Sequence, residues 1–373
     1  MPATAQQLVA RDTAAWHKEK PKKSQYLRYA AQQSGRSMIE LSREIMKLQR
    51  GRGRLPLHEY VRYRVFDRDA LPEDEQTRFI TNDLHWAITH KVCDMSWQAA
   101  TEDKWLCARL LQTSQIAVPP TLAVIDKTNR RFPETEKISS VDGFREFVLA
   151  QNGAPIFAKD NRGICSFGAF VILEGNDQQL HVKGEGWLSY QAVLDDLIGD
   201  TTYLLQPVQR NHSFFSPYTE HLSTIRLCIL NDGEQIQFPF SVLKLASGDN
   251  VADSFWRPEN VACNIAVDTG KITRIRSKDE FSTVDHGNHP VTGTPLIGAT
   301  LPKWDEVIDM ARTISTIFTP VPYQSMDIAI TDNGPVLIEI NTGGGFDLPQ
   351  LASGRGFLTP EVLEFFNRFG YAI

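Results

Sequence analysis

The sequence lacks the features that mark membrane-spanning, secreted and zinc-binding proteins. Its 373 residues contain no run of about 18 apolar residues, so we predict no membrane span. The N-terminus shows no apolar core followed by a small-residue cleavage site, which gives no indication of secretion. The five cysteines are scattered, odd in number and never spaced as CxxC, which argues against a zinc site and a disulfide framework. We therefore expect a cytoplasmic protein.

The composition is that of an ordinary globular protein. Hydrophobic residues make up 42% of the chain and charged residues 23%, and the length suffices for two or three domains. The net charge of -6 hides an asymmetry. Residues 1–68 carry 15 Lys/Arg against 6 Asp/Glu, or +9, so the remainder carries -15.

The basic N-terminal region has two interpretations. Segments such as residues 18–23 and 50–54 either dock a partner or form a solvated face against the acidic body of the same chain. Nucleic acid, an anionic membrane surface and an acidic protein are the possible partners. Because the region has no aromatic stacking pattern and no nucleic-acid motif, we do not expect nucleic acid.

Apolar spacing predicts helices before residue 65, including one that begins after Ser37 and ends at Gly51. From residue 101 onward, short β-rich runs alternate with helical ones, as in an α/β or α+β architecture. Strands are predicted at 156–159, 169–173, 203–206, 224–230, 238–245, 273–275, 326–330 and 336–341. Helices are predicted at 142–150, 190–198, 304–318 and 359–369.

The strongest chemical signal lies in residues 325–345, where two apolar runs flank an Asp-Asn-Gly-Pro turn. The two-residue period of a strand places Glu339 and Asn341 on one face of the second run. Asp327 is the polar residue of the first run. If the loop is the three residues 332–334, Asp327 pairs directly with Glu339, with Cβ atoms about 5 Å apart. A two-residue turn without a bulge would put Asp327 on the opposite face.

Two carboxylates and an amide that converge are unfavourable unless a cation sits among them. Hard oxygen ligands, incomplete in number, suit Mg²⁺, which completes its octahedron with waters and substrate phosphates. The alternative is a surface hairpin whose polar face meets water, because such alternation is common in antiparallel sheets. The pattern favours a metal site at Asp327, Glu339 and Asn341, with the surface hairpin as its alternative.

At these residues the sequence resembles the ATP-grasp superfamily, and more narrowly the sugar-transfer-associated ATP-grasp family. The most specific similarities are the metal-binding strands just described and the stretch His-Pro-Val-Thr-Gly at 289–293, followed by Gly298 and Leu-Pro-Lys-Trp at 301–304. Residues 222–226 look like the family's NT-x-R segment, with Ser223 in place of Asn. Weaker similarities gain weight from their order along the chain: Asp103-Lys104, 116–120, 157–160, the loop 161–168 and the hinge 204–209.

The resemblance implies an α+β fold of the ATP-grasp type, in which two α/β lobes clasp ATP after a mainly helical N-terminal region. It divides the chain into a basic, mainly helical region at 1–100, a smaller lobe with the phosphate loop at 101–206, and a larger lobe with the metal site at 207–373.

The resemblance also implies ATP and Mg²⁺ as ligands. Lys104 and Lys159 would bind the nucleotide phosphates, and Gly163 and Gly168 belong to the loop that closes over them. The residues that would present backbone groups to adenine are Gln206, Pro207, Val208 and Gln209. The alternatives are an exposed helix lysine for Lys104, a different anionic partner for Lys159, a simple hairpin for the loop and a plain interdomain crossover for the hinge.

Arg226 lies within an apolar strand, where a charge is costly unless it is paired. It either balances a carboxylate or stabilises the transferring phosphoryl group, and we expect the second role, with Lys244 acting similarly. His286 and His289 flank a Gly/Asn-rich loop expected to face the second substrate, although a lone histidine is more often structural.

The family's usual chemistry is ligation, in which a substrate carboxylate attacks the γ-phosphate and the acyl phosphate is captured by an amine or another nucleophile. The sequence therefore predicts a carboxylate–amine ligase acting on a small molecule or peptide. The alternatives are a phosphotransferase, whose acceptor keeps the phosphate, and a non-catalytic nucleotide-binding scaffold.

Overall fold

The computed structural model describes residues 21–163, 167–247, 253–255, 257 and 259–372. Residues 18–20 of the first basic segment and 164–166 of the predicted phosphate loop lie outside this described part. The chain forms two compact units. One consists of residues 102–210, and the other joins residues 21–101 to residues 211–372. The helical region that the sequence analysis set apart therefore shares a unit with the C-terminal part of the chain.

The N-terminal region is mainly helical, as predicted. Its helices are α1 (Lys23–Ser34), α2 (Met38–Arg50), α3 (Leu57–Arg62), α4 (Glu73–Gln76), α5 (His85–Val92) and α6 (Gln98–Glu102). In α2, the Ser37 hydroxyl accepts a hydrogen bond from Glu40 N, and the Glu40 carboxylate accepts one from Ser37 N. This capping box fixes the predicted start of the helix, and Gly51 ends it.

Shared apolar cores explain why residues 21–101 join the C-terminal part. Leu41 and Tyr60 are buried in one cluster with Val242 and Leu351. A second cluster combines Ile80 and Ile88 with aromatic residues of the C-terminal part, among them Tyr323, Phe346 and Phe357. Removing the helices would expose these side chains, so the region is part of the fold of this unit.

The unit of residues 102–210 contains one seven-stranded sheet in the order β2-β1-β7-β3-β4-β5-β6. Its strands are β1 (Ala123–Ile125), β2 (Glu136–Ile138), β3 (Ile156–Asp160), β4 (Phe170–Gly175), β5 (Gln179–Val182), β6 (Gly186–Ser189) and β7 (Tyr203–Pro207). Its helices are α7 (Lys104–Gln112), α8 (Val141–Ala150) and α9 (Tyr190–Ala192), which continues as a π-helix over Val193–Ile198. Only β1 and β2 pair in parallel among these described strands.

The larger unit contains a second seven-stranded sheet in the order β12-β11-β10-β9-β8-β13-β14, paired antiparallel throughout its described strands. Its strands are β8 (Thr224–Asn231), β9 (Ile236–Leu245), β10 (Val261–Ala266), β11 (Lys271–Lys278), β12 (Thr283–His286), β13 (Tyr323–Thr331) and β14 (Gly334–Thr342). The helices of this part are α10 (Trp304–Ile317), α11 (Asp347–Ser353) and α12 (Pro360–Arg368). None of the helices within the described residues has the length and apolar character needed to cross a membrane.

Candidate active site

The predicted hairpin forms between β13 and β14, with Asp327 directly opposite Glu339. The connection is tighter than the three-residue loop considered above, because Thr331 already pairs with Gly334. A two-residue turn alone would pair Asp327 with Ile338. A register shift next to Asp327 removes this mismatch, since the neighbouring pair is Ile328 with Leu337. The extra residue, Ile338, is a β-bulge that brings both carboxylates to one face.

Asp327 forms the centre of a cluster of charges on this face. Its direct neighbour on the other side is Arg226 of β8, and the guanidinium binds both carboxylate oxygens, with Nη2 2.8 Å from Oδ2. Lys244 of β9 donates to the same Oδ2 at 3.0 Å. Arg226 and Lys244, the two cations assigned from the sequence, therefore both bind Asp327. The two-point contact with Arg226 fixes the plane of its guanidinium group.

Mutual pairing keeps the cluster charged despite its burial. Burial alone would raise the pKa of Asp327, but Arg226 and Lys244 hold it well below its usual range. Burial likewise acts to lower the pKa of Arg226, and the carboxylates of Asp327 and Glu339 raise it above its ordinary value. Asp327 is therefore ionised throughout the physiological pH range, as a ligand or counter-ion must be.

Lys244 has a second carboxylate partner that the sequence analysis missed. Its Nζ lies 3.6 Å from Asp253 Oδ1, and Asp253 Oδ2 accepts a hydrogen bond from Thr224 N at 2.8 Å. The side chains of Lys244 and Asp253 are only 9% and 12% exposed. The signal available in the sequence was the buried lysine itself, because such a charge requires anionic partners.

Asn341 lies on the same face as Glu339, because it pairs with Ser325 two positions along each strand. Its Nδ2 lies 3.5 Å from the Ser325 carbonyl oxygen. The hairpin thus brings the three predicted metal ligands to one face. Within the described part of the chain, no group of three or more His, Cys, Asp or Glu side chains is arranged to hold a metal ion. Any ion here would depend on the amide and on ligands from outside the protein.

After β14, the chain passes through Gly343, Gly344 and Gly345, and the N-terminal helical region holds this glycine segment in place. The backbone N–H of Gly344 donates to His85 Nε2 at 3.0 Å, and the N–H of Phe346 donates to Asn82 Oδ1 at 2.8 Å. The Tyr323 hydroxyl donates to the Gly344 carbonyl oxygen. Sequence analysis did not find these residues, because nothing local links residues 82–85 to residues 343–346.

Gly343 is expected not to tolerate a side chain. Its φ is +75°, and a Cβ there would lie 2.4 Å from Thr89 Oγ1 and 2.9 Å from His85 Nε2. Gly343→Ala should therefore lower the free energy of unfolding by about 2–4 kcal/mol, combining left-handed strain with a steric clash. Chemical denaturation measures this change. Gly233→Ala is the matched control, because Gly233 has φ +88° with open space around it, and only the backbone cost of about 1 kcal/mol remains. Equal losses in both variants would contradict the tight contact.

His85 should make stability sensitive to acid. Burial lowers its pKa to about 4, and Arg226 adds to the effect. Between pH 6.5 and 4 the unfolded chain binds a proton that the folded chain excludes, so stability falls as pH falls through this window. Burial raises the pKa of Glu59 to about 7, so the contribution of Glu59 to stability increases as pH falls. Comparison with a variant is therefore needed to isolate His85.

His85→Gln retains an acceptor for Gly344 N but does not titrate. Between about pH 7.5 and about pH 5, we expect the variant to lose about 2 kcal/mol less unfolding free energy than the wild type. Urea denaturation at the two pH values provides the comparison, and the contribution of Glu59 cancels between the proteins. An identical loss in both would show that His85 is not held neutral.

In the unit of residues 102–210, Lys104 contacts the start of the predicted phosphate loop. Its Nζ donates to the Gly163 carbonyl oxygen at 2.6 Å, and its backbone N–H donates to the Asn161 carbonyl oxygen at 3.1 Å. Asp103 caps α7 through Leu106 N and also binds Arg130 at 2.6 Å. The sequence analysis assigned both Lys104 and the loop to phosphate binding. In the structure, Lys104 binds the first part of the loop itself.

The other residues assigned to nucleotide binding lie on or beside neighbouring strands of the same sheet. Lys159 is on β3, opposite Leu204 of β7. Gly168 has φ +72°, and its carbonyl oxygen accepts a hydrogen bond from Tyr203 of β7. Gln206 and Pro207 end β7, Val208 is exposed, and Gln209 Nε2 donates back to the Pro207 carbonyl oxygen at 3.2 Å. Gln206 is buried, and its amide points toward Pro119 and Thr121.

The two histidines assigned to substrate have different surroundings. His289 is buried, its Nδ1 accepts from Thr292 N at 3.2 Å, and its Nε2 faces the Ser247 hydroxyl at 3.4 Å. These contacts suit a loop-stabilising histidine. His286 ends β12 at the edge of the sheet, where Nε2 lies 2.7 Å from Ser277 Oγ. Neither histidine is hydrogen-bonded to Asp327, Glu339 or Asn341 among the contacts of the described residues.

Comparison with family models identifies the family to which this chain belongs. The model of the sugar-transfer associated ATP-grasp family matches residues 87–364, which is most of the chain. This chain therefore belongs to the sugar-transfer associated ATP-grasp family, and its fold is that of an ATP-grasp enzyme. The search of curated proteins found no match.

Solved structures with similar chains include several ligases. A D-alanine–D-alanine ligase from Bacillus anthracis shares 16% identity over 74% of this chain and 69% of its own, with a TM-score of 0.41. D-alanyl-alanine synthetase A from Vibrio cholerae shares 13% identity over 74% of this chain and 67% of its own, with a TM-score of 0.43. A biotin carboxylase from Campylobacter jejuni shares 12% identity over 78% of this chain and 52% of its own, with a TM-score of 0.42. Similarity at this level does not identify a substrate.

Proposed function

We propose that this chain is an ATP- and Mg²⁺-dependent ligase that activates a substrate carboxylate as an acyl phosphate for attack by an amine or another nucleophile. The observation that carries the proposal is the charged face of the larger unit. There, Asp327 and Glu339 oppose each other and Arg226 and Lys244 bind Asp327 from the neighbouring strands. Membership of the ATP-grasp family supports the proposal of an ATP-dependent ligase.

The donor set fits a hard divalent cation. A carboxylate offers about four acceptor positions, and three of those on Asp327 are used by Arg226 and Lys244. Asp327 can therefore give one position to Mg²⁺, and Glu339 and the Asn341 amide would supply the other protein ligands. Bound Mg²⁺ would neutralise polyphosphate charge, and substrate phosphates and waters would complete its coordination.

Arg226 and Lys244 are proposed to stabilise the phosphoryl group during transfer. Their charges are fixed in position by Asp327, and Lys244 also by Asp253, so little reorganisation is needed when negative charge develops. In the reaction, a carboxylate oxygen of the substrate bonds to the γ-phosphorus and the bond to the β–γ bridging oxygen breaks, releasing ADP. The nucleophile then attacks the acyl carbon, loses a proton, and displaces inorganic phosphate.

The unit of residues 102–210 is proposed to bind the nucleotide. Lys159 and Lys104 would bind its phosphates, with Gly163 and Gly168 in the closing loop, and residues 206–209 would contact adenine through the backbone. Lys104 must exchange its contact with the Gly163 carbonyl oxygen for a phosphate oxygen, or hold the loop while the loop's N–H groups bind. ATP-binding measurements on Lys104→Met and Lys159→Met separate the two lysines.

The reaction type is tested by trapping. Metabolite pools are screened for compounds that trigger ADP release from the purified protein, and the active pool is repeated with hydroxylamine. The ligase proposal expects a hydroxamate, because hydroxylamine captures an acyl phosphate. A stable phosphorylated acceptor without hydroxamate would identify a phosphotransferase, and ATP binding without any turnover would identify a scaffold. Either result would refute the ligase.

A further inference from the structure

The outward face of α2 carries apolar side chains that the fold does not use. Met38, Ile39 and Met46 are 54%, 67% and 47% exposed, whereas Leu41, Ile45 and Leu48 on the opposite face are buried in the core. Helical spacing places Ile39 and Met46 seven positions apart on one side. Single exposed apolar residues are ordinary, but Ile39 and Met46 together form a local apolar surface, and Met38 is exposed in the first turn of the same helix.

Basic side chains surround this surface. Arg43 and Arg50 follow Ile39 at i+4 and i+11, which puts them on the same side of α2. Arg52 and Arg54 are exposed just after the helix ends. None of these four arginines pairs with a carboxylate among the described residues of this unit. Their charges are therefore exposed on the surface of this unit.

The surrounding charge is strongly one-sided. Residues 21–68 contain 12 Lys/Arg and 4 Asp/Glu, for a net charge of +8. Of the acidic residues on α2, Glu40 serves the capping box at Ser37, and Glu44 binds Arg36 and Arg68. Around Ile39 and Met46, the four arginines therefore outnumber Glu40, which binds the neutral Ser37 rather than a cation.

We propose that this face, formed by Ile39, Arg43, Met46, Arg50 and Arg52, docks the protein on an anionic membrane surface. Charge complementarity favours a negatively charged partner, and the apolar side chains favour one that also offers an apolar phase. A lipid surface provides both, with acyl chains just below anionic headgroups. A nucleic-acid backbone provides only the charge, and no aromatic side chain on α2 is available to stack on bases. The proposal does not depend on the proposed catalytic function.

Vesicle sedimentation tests the surface with the full chain. The protein is expected to bind vesicles that mix phosphatidylglycerol with phosphatidylcholine, to ignore phosphatidylcholine alone, and to be released by salt. Removing two charges in Arg43→Gln/Arg50→Gln should weaken the partition coefficient about 25-fold, at roughly fivefold per charge. Ile39→Ser/Met46→Ser should also weaken it. The Ile39→Ser/Met46→Ser variant keeps its arginines, so its remaining vesicle binding should still be released by salt.

Matched controls change the same residue types elsewhere. Val291→Ser/Ile297→Ser removes two exposed apolar side chains, and Arg131→Gln/Lys271→Gln removes two exposed charges, so both should bind like the wild type. Absence of vesicle binding, equal binding to neutral vesicles, or equal losses in the controls would each overturn the proposal. If Ile39→Ser/Met46→Ser instead dissociates a dimer in light scattering, and vesicles are not bound, the surface belongs to a second copy of the chain and the membrane proposal fails.

Discussion

Asp327→Asn is expected to lower the free energy of unfolding by about 3–5 kcal/mol and to abolish activity. The substitution keeps the shape of the side chain but removes the charge to which Arg226 and Lys244 are bound. The side chains of Asp327 and Lys244 are only 6% and 9% exposed, so water cannot replace the lost anion. Denaturant titration followed by circular dichroism measures the change.

Asp332→Asn is the control for this experiment. It makes the same chemical change in the same hairpin, but its side chain is 67% exposed, and we expect a change within about 0.5 kcal/mol. A second comparison is Asp253→Asn, which removes only one of the two carboxylates around Lys244. Its effect should be smaller than that of Asp327→Asn, because Asp327 still binds both Arg226 and Lys244. A stable, active Asp327→Asn protein would contradict the charge cluster.

Glu339→Gln is expected to reduce Mg²⁺-dependent ADP release by at least about 100-fold, equivalent to about 2.7 kcal/mol of transition-state free energy, while stability changes by less than about 1 kcal/mol. Asp327 is the carboxylate that both Arg226 and Lys244 bind, and Glu339→Gln leaves those three hydrogen bonds in place. Loss of the Glu339 charge should therefore affect the divalent ion more than the fold. Turnover is measured over a range of Mg²⁺ concentrations.

Glu306→Gln is the control for Glu339→Gln, because Glu306 is 55% exposed and lies in the first turn of α10. It should show wild-type turnover. A mutant in which high Mg²⁺ restores activity would indicate weakened metal binding, as the proposal expects. Unchanged turnover in Glu339→Gln at every Mg²⁺ concentration would remove Glu339 from the metal site.

The sequence predicted the pairing of Asp327 with Glu339 but not the way in which the hairpin achieves it. The two-residue period placed Glu339 and Asn341 on one face, and Asp327 joined them on the condition of a three-residue loop, whereas the structure has a tighter turn with a bulge. The bulge at Ile338 depends on the balance between a tight turn and the burial of Leu337 and Ile340, which is a property of the packed sheet. The same applies to the meeting of Arg226 and Asp327, which lie 101 residues apart.

Strands with strong β-branched and aromatic character were predicted well, such as β3, β8 and β9. Short or edge strands were missed, among them β5, β6 and β12, because their sequences alternate weakly and their pairing comes from neighbours. The N-terminal region was predicted as helical, but its role in the larger unit was not foreseen. Contacts such as His85 with Gly344 join parts of the chain 259 residues apart, and no local pattern encodes them.

The most direct measurement is anomalous diffraction from crystals grown with Mn²⁺ in place of Mg²⁺ and a non-hydrolysable ATP analogue. We expect a manganese peak within about 2.2 Å of a Glu339 carboxylate oxygen, with Asp327 or Asn341 as a second protein ligand and phosphate oxygens beside it. A bound nucleotide whose manganese is held elsewhere, with Glu339 and Asn341 facing away from it, would show that the hairpin of β13 and β14 is not the metal site.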